Sequence, residues 1–443
     1  MLKPLAVEVA AFVVCSMHNP VFSSANTNRI TSKQLMEMQY ASNIDPKTTL
    51  AAAIQWGHET TVIAGGPRPR PAFLWNGSGP LRVGYVSPDI CQHTVGLLVK
   101  DVLLSHNANR VIPFVYSSSP LQDWVTEEVS QKTQWREVGA LNDEALAQCI
   151  QTDQIDILVD LAGHTAGSRL SVFARRPAPV LVSWLGYFAT TGLSCMDAVL
   201  LDAGHAPPGT ESDFVEALVR MPQGRWCYTP APWTPLFPMP RTPGRPFTFG
   251  SFNNTNKYNP DLYDLWAEVL TAVPGSHLLL KWRTFSDPSF AVATKEAFTS
   301  RGIAPERIEL REFSTHSQLL LEYADVDVAL DPRPFSGGLT TFECLWSGVP
   351  VITWPQERVV SRQTSSILQS IGRGDWIAHS AQGYVDITQR LANDLEQLAV
   401  VRRGLRNDMI RSGVMSAKNF TDKYEDVLTD LYLQFSKLPV LPS

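Results

Sequence analysis

The chain contains, at residues 326–346, the stretch VDVALDPRPFSGGLTTFECLW. Its first five residues form an apolar run interrupted only by Asp327, which is typical of a buried strand. Gly337 and Gly338 predict a tight turn, and the apolar spacing of residues 341–346 predicts a helix directly after it. A buried strand followed by a turn and a helix is half of a parallel βαβ unit. The stretch therefore predicts an α/β fold.

Short apolar runs alternate with helical patterns on both sides of this stretch. After residue 246, the predicted strands are 247–252, 277–281, 308–310, 326–330 and 349–353, and the predicted helices are 260–273, 318–323, 341–346, 364–371, 384–410 and 419–435. Before it, the predicted strands are 82–87, 111–116, 157–161, 180–184 and 198–202, and the predicted helices are 32–40, 46–56, 95–104 and 143–152. Continuous apolar strands separated by helices indicate parallel sheets covered on both faces.

A proline-dense segment separates the two halves of this pattern. Proline removes an amide donor and fixes φ, so neither a helix nor a central strand crosses such a segment. We expect two Rossmann-like domains that face each other across a cleft, with ligands at the carboxyl ends of the strands. The predicted parts are a short helical leader (1–78), a first domain (79–229), a linker (230–246), a second domain (247–415) and a terminal helix (416–443).

The composition is that of an ordinary globular protein. Of the 443 residues, 44% are hydrophobic and 18% are charged, which excludes a disordered, collagenous or membrane-spanning chain. The formal net charge is −6, so a dominant surface for nucleic acid or an anionic membrane is not expected. A local basic pocket remains compatible with this balance.

The cysteines and the N-terminal residues give information on the cellular compartment of the protein. Six cysteines form no C-x-x-C pair, which indicates a reduced, cytoplasmic set and no structural zinc site. The apolar segment 4–17 is interrupted by Glu8 and is shorter than the ~20 residues that span a bilayer. It also lacks a clean cleavage site. We therefore predict neither a signal peptide nor a membrane anchor.

The glycine turn is the first candidate site. A glycine-rich turn that opens a helix exposes backbone N–H groups at the positive end of the helix dipole, which suits a phosphate or diphosphate. Thr340 and Thr341 add hydroxyl donors. The alternative is a purely structural one, in which Gly337 and Gly338 form a tight turn and the threonines cap the helix.

Three further side chains follow predicted strands. Lys257 ends an Asn-rich loop after the first strand of the second domain, where it is either a charge for a leaving phosphate or a solvated lysine. His93 and His164 follow two strands of the first domain. Each is either an acid/base group or ligand at the cleft rim, or a histidine held by local hydrogen bonds.

Other chemistries lack their motifs. No G-x-G-x-x-G follows a strand, and G-x-x-x-x-G-K-[ST], G-x-S-x-G and H-E-x-x-H do not occur. Asp325 and Asp327 have the spacing of a metal-binding D-x-D motif, but they run into a strand. We interpret them as a helix-to-strand junction rather than a metal site, because Mg²⁺ sites use loop carboxylates.

The motifs together resemble the catalytic region of the protein O-GlcNAc transferase and SPINDLY-like family. The resemblance runs from about residue 81 to 415, in one order, over 81–89 with His93, 156–165, 176–180, 184–187, 191–192, 252–257, 337–346 and 348–350. It implies a GT-B fold and an inverting glycosyltransferase that moves N-acetylglucosamine from UDP-GlcNAc to protein Ser or Thr. The donor and the acceptor proteins are the implied partners, with no metal and no cofactor.

The resemblance also assigns residues. It makes Lys257 and His93 catalytic: the lysine stabilises the departing diphosphate, and the histidine lies near the sugar and acceptor. It places on the donor side Asn253, His316, Gly337, Gly338, Thr340, Thr341 and Glu343, and on the acceptor side His164, Thr165, Tyr187 and Thr191. Inversion needs an in-line attack with charge building on the leaving phosphate, so positioning and electrostatic stabilisation should dominate over a strong base.

The sequence departs from the family pattern at three places. Leu339 stands where the family has His or Thr and cannot hydrogen-bond through its side chain. Leu319 stands where many members have a histidine beside the uracil, and His316 lies one turn earlier. Residues 1–78 hold at most two tetratricopeptide (TPR) units of ~34 residues, against the long array usual in the family.

These departures leave two alternatives. The first is another donor, either GDP-fucose or UDP-glucose. The second is a catalytically silent nucleotide-sugar-binding or scaffold protein. The presence of both Lys257 and His93 favours the enzyme, because a silent relative has no physical need for them.

Overall fold

The computed structural model of the protein describes residues 29–238 and 240–437. The apolar segment 4–17 lies outside these residues. Two helices precede the first sheet, α1 (Ser32–Tyr40) and α2 (Pro46–Ile63). Thr31 and Gln34 form a capping box at the start of α1, and the Asp45 carboxylate accepts from the Thr48 amide at the start of α2.

The first domain, residues 81–220, is built on a seven-stranded parallel sheet. Its strands are β1 (Leu81–Ser87), β2 (Val111–Ser117), β3 (Gln134–Glu137), β4 (Ile157–Asp160), β5 (Val180–Trp184), β6 (Ala198–Leu201) and β7 (Ala217–Arg220), and its helices are α3 (Thr94–Leu104), α4 (Trp124–Ser130), α5 (Asp143–Thr152) and α6 (Leu170–Phe173). The order β3-β2-β1-β4-β5-β6-β7 reverses between β1 and β4. Loops after these two strands therefore diverge and leave a crevice.

The second domain, residues 248–412, repeats this plan with five parallel strands. The strands are β8 (Thr248–Ser251), β9 (His277–Lys281), β10 (Ile308–Arg311), β11 (Val328–Leu330) and β12 (Val351–Ile352), and the helices are α7 (Pro260–Ala272), α8 (Pro288–Thr299), α9 (His316–Glu322), α10 (Leu339–Trp346), α11 (Gln363–Ser370), α12 (Ala381–Asn393) and α13 (Leu395–Ser412). The order β10-β9-β8-β11-β12 reverses between β8 and β11. The predicted pair of parallel sheets is confirmed.

The structure corrects the predicted elements in two ways. The single helix predicted over 384–410 is wrong, because Asp394 leaves the helical conformation and its carboxylate accepts from the Gln397 amide to start α13. The strands β3 and β7 and the helices α4, α6 and α8 were not predicted. The two strands lie at the sheet edges and are mostly half-buried or exposed, so they lack the continuous apolar run of an interior strand.

A last helix, α14 (Ala417–Ser436), returns to the first domain. Its Tyr424 ring stacks on Trp184 of β5, with ring centroids 4.5 Å apart. Its Glu425 carboxylate lies 2.9 Å from His106 Nδ1 and accepts from the Asn107 amide. The chain therefore crosses between the domains twice, at the proline-rich segment and before α14. No helix in the described ranges is both long enough and apolar enough to cross a membrane.

Candidate active site

The carboxyl ends of the two sheets face each other. Phe188, after β5, makes an edge contact with Phe335, after β11, with ring centroids 4.7 Å apart. Ser366 Oγ of α11 donates to the Asp202 carboxylate after β6 at 2.8 Å. Loops that follow strands of both sheets therefore meet at this edge, on the side where an α/β fold of this kind binds its ligands.

Lys257 lies at this meeting point in a short helical turn after β8. It is only 8% exposed. Its Nζ donates to Asn253 Oδ1 and to the Ser336 carbonyl, each at 2.9 Å, and lies 4.6 Å from the centroid of the Phe335 ring. An ammonium group has three N–H donors, so one remains for a ligand. The side chain is thus a buried cation with neutral hydrogen-bond partners.

Burial controls the charge of this lysine. Loss of water lowers the pKa of Lys257 to about 8, and the nearby Asp331 carboxylate opposes that decrease. Burial likewise raises the pKa of Asp331 to about 6. A dianionic phosphate beside Lys257 would favour its charged form and raise the pKa again.

The glycine turn leads into α10, as predicted. Asp331 Oδ1 accepts from the Gly337 amide and Oδ2 accepts from Thr353 Oγ1, each at 2.7 Å, and these bonds hold the turn. Gly338 is the N-cap residue, and no side chain caps the helix. The alternative in which a threonine caps α10 is therefore wrong. The first amides of α10 point out of the helix without a side-chain partner, which is the arrangement that binds anions.

A chain of hydrogen bonds joins the two loops. Asn253 Oδ1, which accepts from Lys257, also accepts from Thr340 Oγ1 at 3.3 Å. Thr341 Oγ1 shares a hydrogen bond of 2.9 Å with Thr364. A pocket opens between the ends of β8 and β11 and the start of α10, and Asn253, Thr340 and Thr341 are among its walls. The structure therefore brings together Lys257 and five of the predicted donor-side residues, namely Asn253, Gly337, Gly338, Thr340 and Thr341.

His316 and Glu343 form a pair beside this site. Trp233 Nε1 donates to His316 Nδ1 at 3.0 Å, so the imidazole proton is on Nε2. His316 Nε2 lies 2.6 Å from Glu343 Oε1 and donates to it. The pair ties α9 to α10 and to the proline-rich segment. That His316 and Glu343 contact the nucleoside of the donor stays a prediction.

His93 is the N-cap residue of α3, at the carboxyl end of β1. Its Nδ1 accepts from the Val95 amide at 3.4 Å and lies 3.6 Å from Asp89 Oδ1. Burial raises the pKa of the Asp89 carboxyl, and His93 opposes that increase. The histidine side chain is 48% exposed. With Nδ1 accepting from the backbone, the neutral ring presents Nε2–H, which donates a hydrogen bond.

The predicted acceptor-side residues lie mostly in the interior rather than on the cleft wall. His164, Tyr187 and Thr191 are at most 2% exposed, and Thr165 donates to the Ala162 carbonyl. His164 Nε2 hydrogen-bonds to the Thr191 carbonyl at 2.9 Å. Burial lowers the pKa of His164 to about 4, so the ring is neutral at pH 7. For His164, the prediction of a histidine held by local hydrogen bonds describes what the structure shows.

The helices α1 and α2 cover these residues. Ser32 Oγ lies 3.0 Å from His164 Nδ1, the Trp56 ring makes an edge contact with the His164 ring at 4.4 Å, and Gln39 Nε2 donates to the Tyr187 hydroxyl. A Cβ on Gly192 would come within 2.0 Å of the Ala53 carbonyl oxygen, so only glycine fits there. The leader is thus packed into the first domain.

Several residues at the site were not predicted. Asp331 and Phe335 lie inside the stretch 326–346, and the position of Asp331 directly after a strand was a usable signal. Tyr40 and Arg358 also reach the site region, as described below. Their contacts join segments about 300 residues apart, and no local pattern in the sequence reports them.

Each carboxylate of the D-x-D sequence pairs with an arginine. Asp325 Oδ2 lies 2.7 Å from Arg311 Nη2, and Asp327 Oδ1 lies 2.6 Å from Arg241 Nε. Within residues 29–238 and 240–437, no group of three or more His, Cys, Asp or Glu side chains is arranged to hold a metal ion.

Comparison with known proteins identifies related chains. The model of glycosyl transferase family 41 matches residues 67–227 and 240–424. Two relatives carry the name "Probable UDP-N-acetylglucosamine--peptide N-acetylglucosaminyltransferase SPINDLY". The chain is 33% identical to the one from Solanum lycopersicum and 34% identical to the one from Oryza sativa subsp. japonica, each over 363 residues. Each match covers 80% of this chain and 39% of the relative, so the chain spans about two fifths of their length.

A solved structure resembles the whole site region. It is a mutant of the O-GlcNAc transferase of Thermobaculum terrenum, 33% identical, with a TM-score of 0.86. The match covers 92% of this chain and 78% of that one. The GT-B fold expected from the resemblance is confirmed. Because the family model matches most of the chain and the fold agrees over nearly all of it, the chain belongs to glycosyl transferase family 41.

Proposed function

We propose that this protein transfers N-acetylglucosamine from UDP-GlcNAc to Ser and Thr hydroxyls of proteins, with inversion at the anomeric carbon and without a metal ion. One observation carries the proposal. The Lys257 ammonium donates to Asn253, and Asn253 lines one pocket together with Thr340 and Thr341 at the uncapped start of α10. The names of the related proteins support the choice of donor and acceptor.

The leaving diphosphate is the part of the reaction that this site suits best. As the bond from the sugar to the diphosphate breaks, negative charge builds on the phosphate oxygens. The free N–H of Lys257 and the first amides of α10 supply fixed positive charge at that point. These groups supply the positive charge that a divalent cation supplies to the diphosphate in other transferases. We therefore propose that no metal ion is required.

The acceptor hydroxyl attacks the anomeric carbon from the face opposite the diphosphate. One C–O bond forms as the other breaks, and the hydroxyl proton leaves to solvent or to a phosphate oxygen. His93, with Nδ1 accepting from the Val95 amide, presents an N–H rather than a lone pair. We assign it to hydrogen-bonding and orienting the sugar or phosphate, and not to removing the proton.

A donor panel tests the proposal. The purified protein is mixed with a Ser/Thr-rich acceptor protein and with UDP-GlcNAc, UDP-glucose or GDP-fucose. Release of UDP or GDP is measured, and mass spectrometry measures sugar addition. We expect UDP release and a mass increase of one N-acetylhexosamine with UDP-GlcNAc, unchanged by excess EDTA. Transfer from GDP-fucose alone would overturn the donor, and loss of activity in EDTA would overturn metal independence.

Lys257→Met supplies the variant for this panel. We expect the rate to fall by about a hundredfold to a thousandfold, as on removal of one charge-stabilising donor. The fold should persist, because Asn253 Oδ1 still accepts from Thr340 and the Ser336 carbonyl still accepts from Gln363. The matched control is Lys295→Met, an exposed lysine on α8 of the same domain. Equal rates for the two variants would remove Lys257 from the reaction.

A further inference from the structure

The end of α1 reaches the wall of the candidate active site. Tyr40, the last residue of α1, stacks on the Phe335 ring with ring centroids 4.9 Å apart and planes 28° apart. The Phe335 ring also lies against Lys257 Nζ and Phe188. The ring beside the lysine is therefore held by one aromatic side chain from α1 and another from the first domain.

A buried arginine of the second domain fastens the same end of α1. Arg358 is 8% exposed and lies in the segment after β12. Its Nη1 donates to the Met38 carbonyl at 2.7 Å, and its Nη2 donates to the Ala41 carbonyl. The last carbonyls of a helix have no partner within the helix and carry its negative dipole end, so a guanidinium suits them. The second domain thus supplies the C-terminal cap of α1.

We infer that Tyr40, Phe335 and Arg358 are positioning residues that hold the Lys257 ammonium in place for the leaving diphosphate, which makes α1 a working part of the active site. The inference rests on the proposed function. A lysine side chain is a flexible chain of four methylenes, and a shift of about 1 Å in a reacting group costs up to about a hundredfold in rate. The Phe335 ring lies against the Lys257 ammonium and is itself held by Tyr40 and Phe188, so it restricts the movement of the lysine side chain.

The same aromatic wall keeps water away from the lysine. The groups that face Lys257 are the Asn253 side chain, the Ser336 carbonyl, the Phe335 ring and, as the charged group, Asp331. Loss of water lowers the pKa of Lys257, while Asp331 acts in the opposite direction. Removing the Tyr40 ring admits water next to Phe335. The pKa of Lys257 should then rise, and the alkaline loss of activity should move to higher pH.

Tyr40→Ala is the test, with kcat and the pH profile of kcat/KM for the donor as readouts. We expect kcat to fall about tenfold from looser positioning and the alkaline limb to move up by about one pH unit. Tyr40→Phe keeps the ring and should restore both values. Glu37→Ala, an exposed position on the same helix, is the matched control and should match the wild type. A purely structural role would not move the alkaline limb.

A second pair of measurements keeps the inference testable if Tyr40→Ala does not fold. Arg358→Met removes the two bonds to α1 but keeps the apolar stem, and its effect on kcat and on the alkaline limb should have the same direction. UDP binding, followed by calorimetry from pH 7 to 10, reports the Lys257 charge without any transfer. Wild-type kcat and an unmoved limb in folded Tyr40→Ala would overturn the inference alone. A wild-type protein that binds UDP but transfers nothing would overturn the proposed function alone.

Discussion

Two histidines that follow strands of the first domain lie in opposite environments. His93 is half exposed at the start of α3, while His164 is buried under α1 and α2 with partners on both ring nitrogens. Both follow a strand in the sequence, so the same rule placed both at the rim of the cleft. That rule takes no account of helices α1 and α2, which cover His164. The sequence predicts that each histidine follows a strand, and only the packing of α1 and α2 decides which one is buried.

His164 should make the fold sensitive to acid. The pKa of His164 is lowered to about 4 in the folded protein, against 6.5 for an unperturbed histidine. Between these values the unfolded chain binds the extra proton, so stability is present at pH 7 and is lost as the pH falls from about 6.5 toward 4. Glutamine at this position donates and accepts but does not titrate. Denaturant unfolding of wild type and His164→Gln at pH 7 and pH 5 measures the difference.

We expect the wild type to lose about 2 kcal/mol more than His164→Gln between pH 7 and pH 5. Because the comparison is between two proteins, the acid response of every other group cancels. Equal losses in the two proteins would mean that His164 is solvated or charged in the fold.

At the scale of single elements, the turn before α10 is where the sequence was most informative. Strand, glycine pair and helix follow each other within 21 residues, so local chemistry determines the arrangement. The two glycines nevertheless have different roles. A Cβ on Gly337 would come within 2.5 Å of Thr341 Oγ1 and 3.0 Å of Thr340 Oγ1, whereas a Cβ on Gly338 has no atom nearer than 3.6 Å. The sequence does not distinguish them, because the threonines return to the turn only after the helix has formed.

The glycine pair gives a matched test. Gly337→Ala should displace the threonines, lower the unfolding free energy by about 1–3 kcal/mol and weaken UDP binding. Gly338→Ala has room for the methyl group and should lose less stability than Gly337→Ala. Thermal unfolding and UDP calorimetry on both variants provide the comparison. A Gly338→Ala protein less stable than Gly337→Ala would contradict this packing.

At the scale of the whole molecule, helix α14 connects the end of the second domain back to the first domain. Its amphipathic pattern predicted a helix with one buried face, and that part is confirmed. The pattern does not say what the face packs against. In the structure it packs on α3 and β5 of the first domain, although it follows the last helix of the second. Such long-range pairings lie beyond local periodicity, in the same way as the contacts of Tyr40 and Arg358.

Two leucines of α14 test this arrangement. Leu428 is fully buried and Leu433 is 38% exposed on the same helix. Leu428→Ala should cost about 2–5 kcal/mol, and Leu433→Ala should cost less than about 0.5 kcal/mol. Hydrogen exchange should show that Leu428→Ala loosens the strands of the first domain. Loosening confined to the second domain would contradict the docking of α14.

The return of α14 also has a mechanical meaning. A body joined to another by one flexible connection can swivel in any direction. These two domains are joined at two crossings, one at the proline-rich segment and one before α14, and the crossings lie side by side where the Tyr228 amide donates to the Val414 carbonyl at 3.0 Å. Two connections that are paired in this way act as one hinge and restrict twisting of one domain against the other. Relative motion of the two domains should therefore be mainly a rocking motion about that hinge.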